Sequence, residues 1–289
     1  MKLQEMHTAL TEFNRGRLKP RLPHSWKPEM LEKQIEHQRL EHRFIEGERA
    51  LVSRSAAQAP RDPEGFVGWF EDLQRSGPGQ NDPLFDWLAN DASIEEMVWF
   101  LTQEVAGEAG FDDLVALTQV QLPARPKLEM ARNYWDEMGR GNAGGMHGPM
   151  LAHLAQSMEL PQLPIVAEAL ALGNLMMALA CNRQYAYQAI GALGVIELTA
   201  PGRAARVNAG LKRLGIPADV RRYFAIHATL DVQHSLGWNK EVLLPLVESQ
   251  PEVAQAISEG ALMRLAAGAR CFRRYREVLW HQVHVDAAE

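Results

Sequence analysis

The chain has 289 residues, of which 46% are hydrophobic and 23% charged, enough apolar material for a sizeable core. A net charge of -6 argues against the basic surface that nucleic-acid binding requires. The two cysteines, Cys181 and Cys271, have neither zinc-site nor disulfide-framework spacing, and they read as reduced, buried thiols of a cytoplasmic protein.

Residues Met1 to Arg15 carry acidic side chains and no apolar core, so they do not read as a signal peptide. Pro28 to Arg54 predicts a long charged helix. Its narrow stripe of Leu31, Ile35, Leu40 and Phe44 is suited to lying on the surface of something else. Pro60 to Pro63 breaks the chain, a short helix covers 64–75, and Ser76 to Pro83 is a loop. Ser93, with Glu96 three residues on, opens the next helix as a capping box. Further helices are expected over 112–120, 125–138, 147–158, 163–181, 183–200, 202–213, 217–236, 239–248, 251–258 and 259–282. Pro201, Pro217 and Pro251 stand near helix starts. The apolar run Leu163 to Cys181 contains Glu168 and Asn174, which marks a buried helix rather than a membrane span. Strand signals are nearly absent. The expected architecture is all-α: an N-terminal helical extension over residues 1–81 and a helical bundle over residues 82–289.

The most informative stretch is Tyr223 to His234. His227, Asp231 and His234 are spaced i, i+4, i+7 and fall within about 60° of one another on a helical face. Two imidazoles and a carboxylate on one face suit iron, manganese or zinc better than calcium or magnesium. The alternative is a solvated polar face with an incidental Asp–His pair. Phe224, Ile226, Leu230 and Val232 around it argue instead for a buried helix, where ionisable groups must be paired or bound to metal.

Other helices should complete such a site. Glu104 follows an apolar helical run, with Glu108 an equally placed rival. Glu137 ends a helix just before Gly139-Arg-Gly-Asn-Ala-Gly-Gly145. Glu197 interrupts an apolar helix rich in small residues, and His147 opens the next helix beyond the glycines. Each has a plainer reading: a surface ion pair for Glu104, an exposed helix end for Glu137, a helix-start residue for His147. The glycine-rich break lacks a preceding strand and a Lys-Ser/Thr pair, so it is not a phosphate loop. His7, His24, His37, His42, His153, His281 and His284 show no convergence and read as structural or exposed. Met150, Trp135, Tyr187 and Met176 could line a pocket, but Met and aromatic residues at helical spacing are more often core.

Between about residues 82 and 250 the chain resembles the haem-oxygenase-like diiron oxidases and their relatives, the iron-containing redox enzymes. The resemblance rests on Gln103-Glu104, on Asn133-Tyr-Trp-Asp-Glu137 with Gly139-Arg-Gly141 and His147, on Glu197, and on His227-x3-Asp231-x2-His234. It implies a seven-helix haem-oxygenase-like bundle without haem, holding two iron ions, with manganese in one site left open. Glu104, His147, Glu197, His227, Asp231 and His234 would be the ligands, and Glu137 an extra or mobile ligand with a part in catalysis. Glycines just after Glu137 would ease such a shift.

The implied activity is O2-dependent oxidation of a small amine, amino acid or fatty acid by N-oxygenation, desaturation or C–C cleavage. O2 and the substrate are the expected partners, with room for an electron donor and a homodimer, and with no nucleic acid or membrane. Residues 1–81 have no counterpart in the minimal bundle; they could cover the site, form a dimer interface or do neither. The rivals are a metal-free enzyme on the same bundle, thiaminase-like or pyrroloquinoline-quinone-synthase-like with Cys181 as the available nucleophile, and a non-catalytic helical scaffold.

Overall fold

A computed structural model of the chain describes residues 2–25, 27–107 and 111–286, with side-chain surroundings given for all of these but 111, 112 and 281–286. Glu108 and the side chains of His281 and His284 therefore lie outside the described residues. Among the described residues the regular structure is helical, apart from one isolated bridge between Met138 and Met146. The N-terminal part supplies α1 (Leu3–Leu18), α2 (Glu29–Ala56) and α3 (Pro63–Ser76). Then come α4 (Pro83–Asn90), α5 (Ile94–Gly107), α6 (Phe111–Thr118), α7 (Ala124–Glu137), α8 (His147–Ser157) and α9 (Ala167–Cys181). The chain closes with α10 (Ala186–Arg213), α11 (Arg222–Gly237), a π-helical turn (Trp238–Leu243), α12 (Leu244–Ser249) and α13 (Val253–Asp286).

Local sequence explains most helix starts. Ser93 and Glu96 form the expected reciprocal cap, with Glu96 N–H donating to Ser93 Oγ at 3.2 Å and Ser93 N–H to Glu96 Oε2 at 2.7 Å. Asp62 and Asp82 each cap a helix whose first residue is proline. The second of these, α4, was not anticipated from the sequence, because Pro83 reads as loop when its cap is overlooked.

Two expected breaks are absent. The helices expected over 183–200 and 202–213 merge into the single helix α10, which begins at Ala186 after a 3-10 turn over Arg183–Tyr185 and runs through Pro201. Proline removes a helical hydrogen bond and crowds the preceding turn. The carbonyl deprived of its donor is that of Glu197; the Gln74 side chain donates to the next carbonyl, Leu198, at 3.0 Å from outside the helix. Likewise 251–258 and 259–282 belong to one helix, α13. Gly260 does not stop it: a Cβ there would strike the Gln188 backbone of α10, and a Cβ on Gly191 would strike the Ile257 carbonyl. The glycines let α10 and α13 cross with their backbones nearly in contact.

The N-terminal helices share the main core. Ile45, Phe66 and Phe70 are fully buried in the same apolar cluster as Leu193, Ile257 and Leu265. Each such side chain contributes about 1.5–3 kcal/mol by burial. The apolar stripe of α2 is only half used, however. Leu40 and Phe44 are half-buried, whereas Leu31 and Ile35 are exposed. The buried Glu41 on α2 is held by Arg17 of α1 at 2.8 Å and by Asn182 at 2.7 Å. No described helix is long and apolar enough to cross a membrane.

Candidate metal centre

Helix α10 runs along the middle of the site, and α7, α8 and α11 bring their side chains to one face of it. Glu137 is the last residue of α7 and His147 the first of α8, and the seven residues Gly139–Gly145 fold back so that the two side chains meet. Gly139, Arg140 and Gly141 all have positive φ (60°, 54° and 83°), and a Cβ on Gly139 would collide with the backbone of Gly145 and Met146. The glycine-rich stretch is thus the closure that pairs Glu137 with His147 across ten positions of sequence.

On α11, His227 Nδ1 lies 3.0 Å from Asp231 Oδ2, so an imidazole N–H donates to the carboxylate and Nε2 is turned elsewhere. His234 Nε2 lies 3.1 Å from Asp136 Oδ2, while its Nδ1 is 3.4 Å from Glu197 Oε2 and 4.0 Å from Asp231 Oδ1. Because an ionised carboxylate only accepts, Asp136 holds the proton on Nε2 and leaves Nδ1 facing inward. Asn133 donates to Glu197 Oε1 at 2.7 Å. The rings of His147 and His227 are 4.5 Å apart, and Tyr223 packs 4.5 Å from His227. Six of the seven residues singled out from the sequence therefore form one connected cluster: Glu137, His147, Glu197, His227, Asp231 and His234. Within it, Glu137, Glu197 and His234 offer ligand atoms all within 4.8 Å of one another.

Glu104 lines the same cavity but keeps different company. It accepts a hydrogen bond from Tyr275 and is close enough to Cys271 and Arg203 to affect their charges. Sequence reasoning quoted Asn133 and Asp136 within its motif but gave neither a role. Both were within reach of it, since Asn133, Asp136 and Glu137 are spaced i, i+3, i+4 and share a face of α7.

The electrostatics are those of a crowded, buried site. Burial and the neighbouring Glu197 push the Glu137 carboxyl up to about 9. Burial, with Asp231 beside it, also raises Glu197. Burial lowers His147 to about 4, helped by His227. For His227 and His234 burial again opposes the charge, but Asp231 in one case and Glu197 in the other outweigh it and raise both to about 9. Four of these groups turn buried polar atoms inward without a full hydrogen bond: Glu137 Oε1 and His227 Nε2 have no partner, Glu137 Oε2 and His147 Nδ1 face only each other, and His234 Nδ1 stands 3.4 Å from Glu197 Oε2. Buried polar atoms are seldom left so. Their chemistry, imidazole nitrogen with carboxylate oxygen, is the donor set of a divalent transition metal such as iron.

The cluster borders a cavity of about 160 Å³ whose lining also includes apolar Phe100, Leu151, Ile196 and Phe224 and charged Glu104, Arg203 and Arg264. Met150, Trp135, Tyr187 and Met176 do not line it. Neither cysteine presents a reactive thiol. Cys181, half-buried between Arg17 and Glu41, does not border the cavity, and burial raises the pKa of both.

Fold and site together define an all-helical protein with a buried carboxylate–imidazole centre opening on an apolar cavity. The family model for iron-containing redox enzymes matches residues 98–269, and the chain belongs to that family. That span contains every residue of the cluster. No curated protein matches the chain in sequence. Solved structures resemble it in fold. A CADD-like protein of unknown function from Nostoc punctiforme PCC 73102 superposes with a TM-score of 0.60 at 14% identity, covering 75% of this chain and 98% of the other. A second crystal structure with the same description and source gives 0.57 at 15% identity, over 76% and 96%. A domain of unknown function with a haem-oxygenase-like fold from Shewanella denitrificans OS217 gives 0.52 at 13% identity, over 78% and 93%. The fold is haem-oxygenase-like.

Proposed function

We propose that the protein is a non-haem diiron enzyme that uses O2 to oxidise a small organic substrate held in the cavity. The observation that carries this reading is the convergence of five buried nitrogen and oxygen atoms, none in a well-formed hydrogen bond and two of them pressed against each other, from α7, α8 and α11 beside Glu197. Glu137, His147, Glu197, His227, Asp231 and His234 would hold the metal, with Glu104 a further carboxylate at the cavity wall. Bound ferrous iron would supply the electrons that reduce dioxygen.

The chain's own part is to hold and shield. Asp136 fixes the His234 tautomer and Asn133 orients Glu197, and outer partners of this kind set the geometry of a metal site. The apolar wall keeps water from the reacting face. Glu137, raised by burial and by Glu197, gives up its proton when a cation arrives, so metal uptake releases protons. An electron donor would be needed to return the centre to its reduced form after each two-electron oxidation.

The test is anaerobic titration of the metal-free chain with ferrous iron, then an oxygen pulse followed by absorbance and oxygen consumption. Two irons per chain and rapid oxygen uptake are expected, and a parallel titration with manganese reports whether one position prefers it. No iron uptake by the folded protein would overturn the reading.

A further inference from the structure

The N-terminal helices take no part in the cavity: among the described residues, every side chain that borders it lies beyond residue 81. Helix α2 instead presents a surface that the rest of the chain leaves uncovered. Of the ten residues 29–38, eight are exposed, and Met30 and His37 are half-buried. The exposed ones include Leu31 at 51% and Ile35 at 40%. A few helical turns with so little packing are marginal in water, because a helix in a protein is held chiefly by its buried face.

The same face is covered further along the helix. At 100° per residue, Leu31, Ile35, His42, Glu46 and Arg49 fall within about 60° of one another. The last three dock on the body. His42 Nδ1 stands 2.8 Å from the Tyr185 hydroxyl, which donates to Glu46 Oε1 at 2.6 Å, and Arg49 Nε donates to Glu259 Oε2 at 2.8 Å. The docking face of α2 thus runs out past the turn that carries Tyr185 and takes Leu31 and Ile35 into solvent.

Charge is sorted along this overhang. Over residues 29–36, Glu29, Glu32 and Glu36 against Lys33 leave a net charge of -2. Over residues 37–43, Arg39 and Arg43 leave +2, because Glu41 is taken up by Arg17 at 2.8 Å. Glu32 and Arg39 flank Ile35 and form no ion pair among the described residues. The helix dipole accounts for acids in the first turn, Glu29 and Glu32, but not for the bases further on or the apolar pair between.

We propose that the overhanging face of α2 is covered by the same face of a second copy of this chain, the two helices running antiparallel about a twofold axis close to Ile35. Antiparallel pairing lays each acidic half along the other's basic half. Glu32 then faces Arg39 of the partner subunit, and the pair is made twice, as in any isologous contact. Leu31 and Ile35 close against their counterparts between these pairs. A uniformly acidic partner would repel the first half of the overhang, and a uniformly basic one the second. Two short helix faces make a small contact, which suits a dimer that dissociates over roughly the micromolar range. The pairing does not depend on the metal reading.

Sedimentation velocity of the full, metal-free chain from about 1 to about 200 µM tests the pairing. The mass should rise from one chain to two. L31E and I35E, both at exposed positions, should stay folded and hold the mass at one chain throughout. E32R and R39E should each weaken the dimer roughly tenfold, and the double variant E32R/R39E, which exchanges the charges, should recover most of the loss. I35C should form an intermolecular disulfide with diamide as oxidant, whereas L51C, 71% exposed on the opposite face of α2, should not. A chain that stays monomeric at the highest concentration would overturn the proposal, as would a dimer that L31E and I35E leave intact. A double variant no tighter than the single ones would overturn the antiparallel register, and a mass above two chains the twofold closure.

Discussion

Replacing Glu137 with Gln should stabilise the metal-free protein and destabilise the metal-loaded one relative to wild type. In the folded, metal-free chain the Glu137 carboxyl is raised from 4.5 to about 9 by burial and by Glu197. An acid with a raised folded pKa contributes stability that is intact below its unfolded pKa and is lost as pH rises towards the folded value. Between pH 5 and pH 8 that loss spans three units. At 1.36 kcal/mol per unit it reaches about 4 kcal/mol, and relaxation of the cluster lowers this to about 2–4 kcal/mol. Glutamine keeps the shape and has no charge to bury. At pH 8 the E137Q chain should therefore melt roughly 5–10 °C above wild type, with the gap nearly closed at pH 5. Adding ferrous iron anaerobically reverses the order, because ligand binding to the folded state raises Tm only where the ligands are intact. The assay is thermal melting by circular dichroism at the two pH values, with and without iron. If E137Q is less stable than wild type at pH 8 without metal, or iron raises both proteins equally, the assignment of Glu137 as a buried ligand is wrong.

Other outcomes follow from the same geometry. D136N removes the acceptor that fixes the His234 tautomer and should weaken iron binding about 10–100-fold with little change in fold, measured by competition with a chelator. G139A places a Cβ against the Gly145–Met146 backbone at a positive φ. It should cost about 1–3 kcal/mol and separate Glu137 from His147, so melting temperature and iron stoichiometry fall together. His7 is lowered to about 4 by burial, with Arg270 adding to it, so the unfolded chain takes up that proton first. Stability should then decline by about 2 kcal/mol as pH falls from 6.5 towards 4, and H7Q should flatten that part of the denaturant-midpoint profile.

The sequence by itself determined the helical class, because apolar periodicity, caps and proline positions are local properties of the chain. It also determined the face of α11 that carries His227, Asp231 and His234, since i, i+4, i+7 spacing within one helix converges on a single side whatever surrounds it. It placed Glu137, His147 and Glu197 as solitary polar residues at helix ends or in apolar runs, where burial without a partner is costly.

What it could not decide is everything that depends on distance between helices. The closure at Gly139 puts Glu137 against His147. The near-contact of α10 and α13 at Gly191 and Gly260 keeps α10 continuous beside the site, and Gln74 supplies a partner in the turn that Pro201 follows. Asp136 and Asn133 acquired their roles only when α7 met α11 and α10, and Glu104 was drawn towards Tyr275 and Arg203. The incorporation of Phe66 and Phe70 into the main core, the exposure of Leu31 and Ile35, and the seating of Arg203 against Phe85 and Phe272 are likewise products of packing. Burial and long-range pairing are properties of the assembled interior, and no local pattern of residues encodes them.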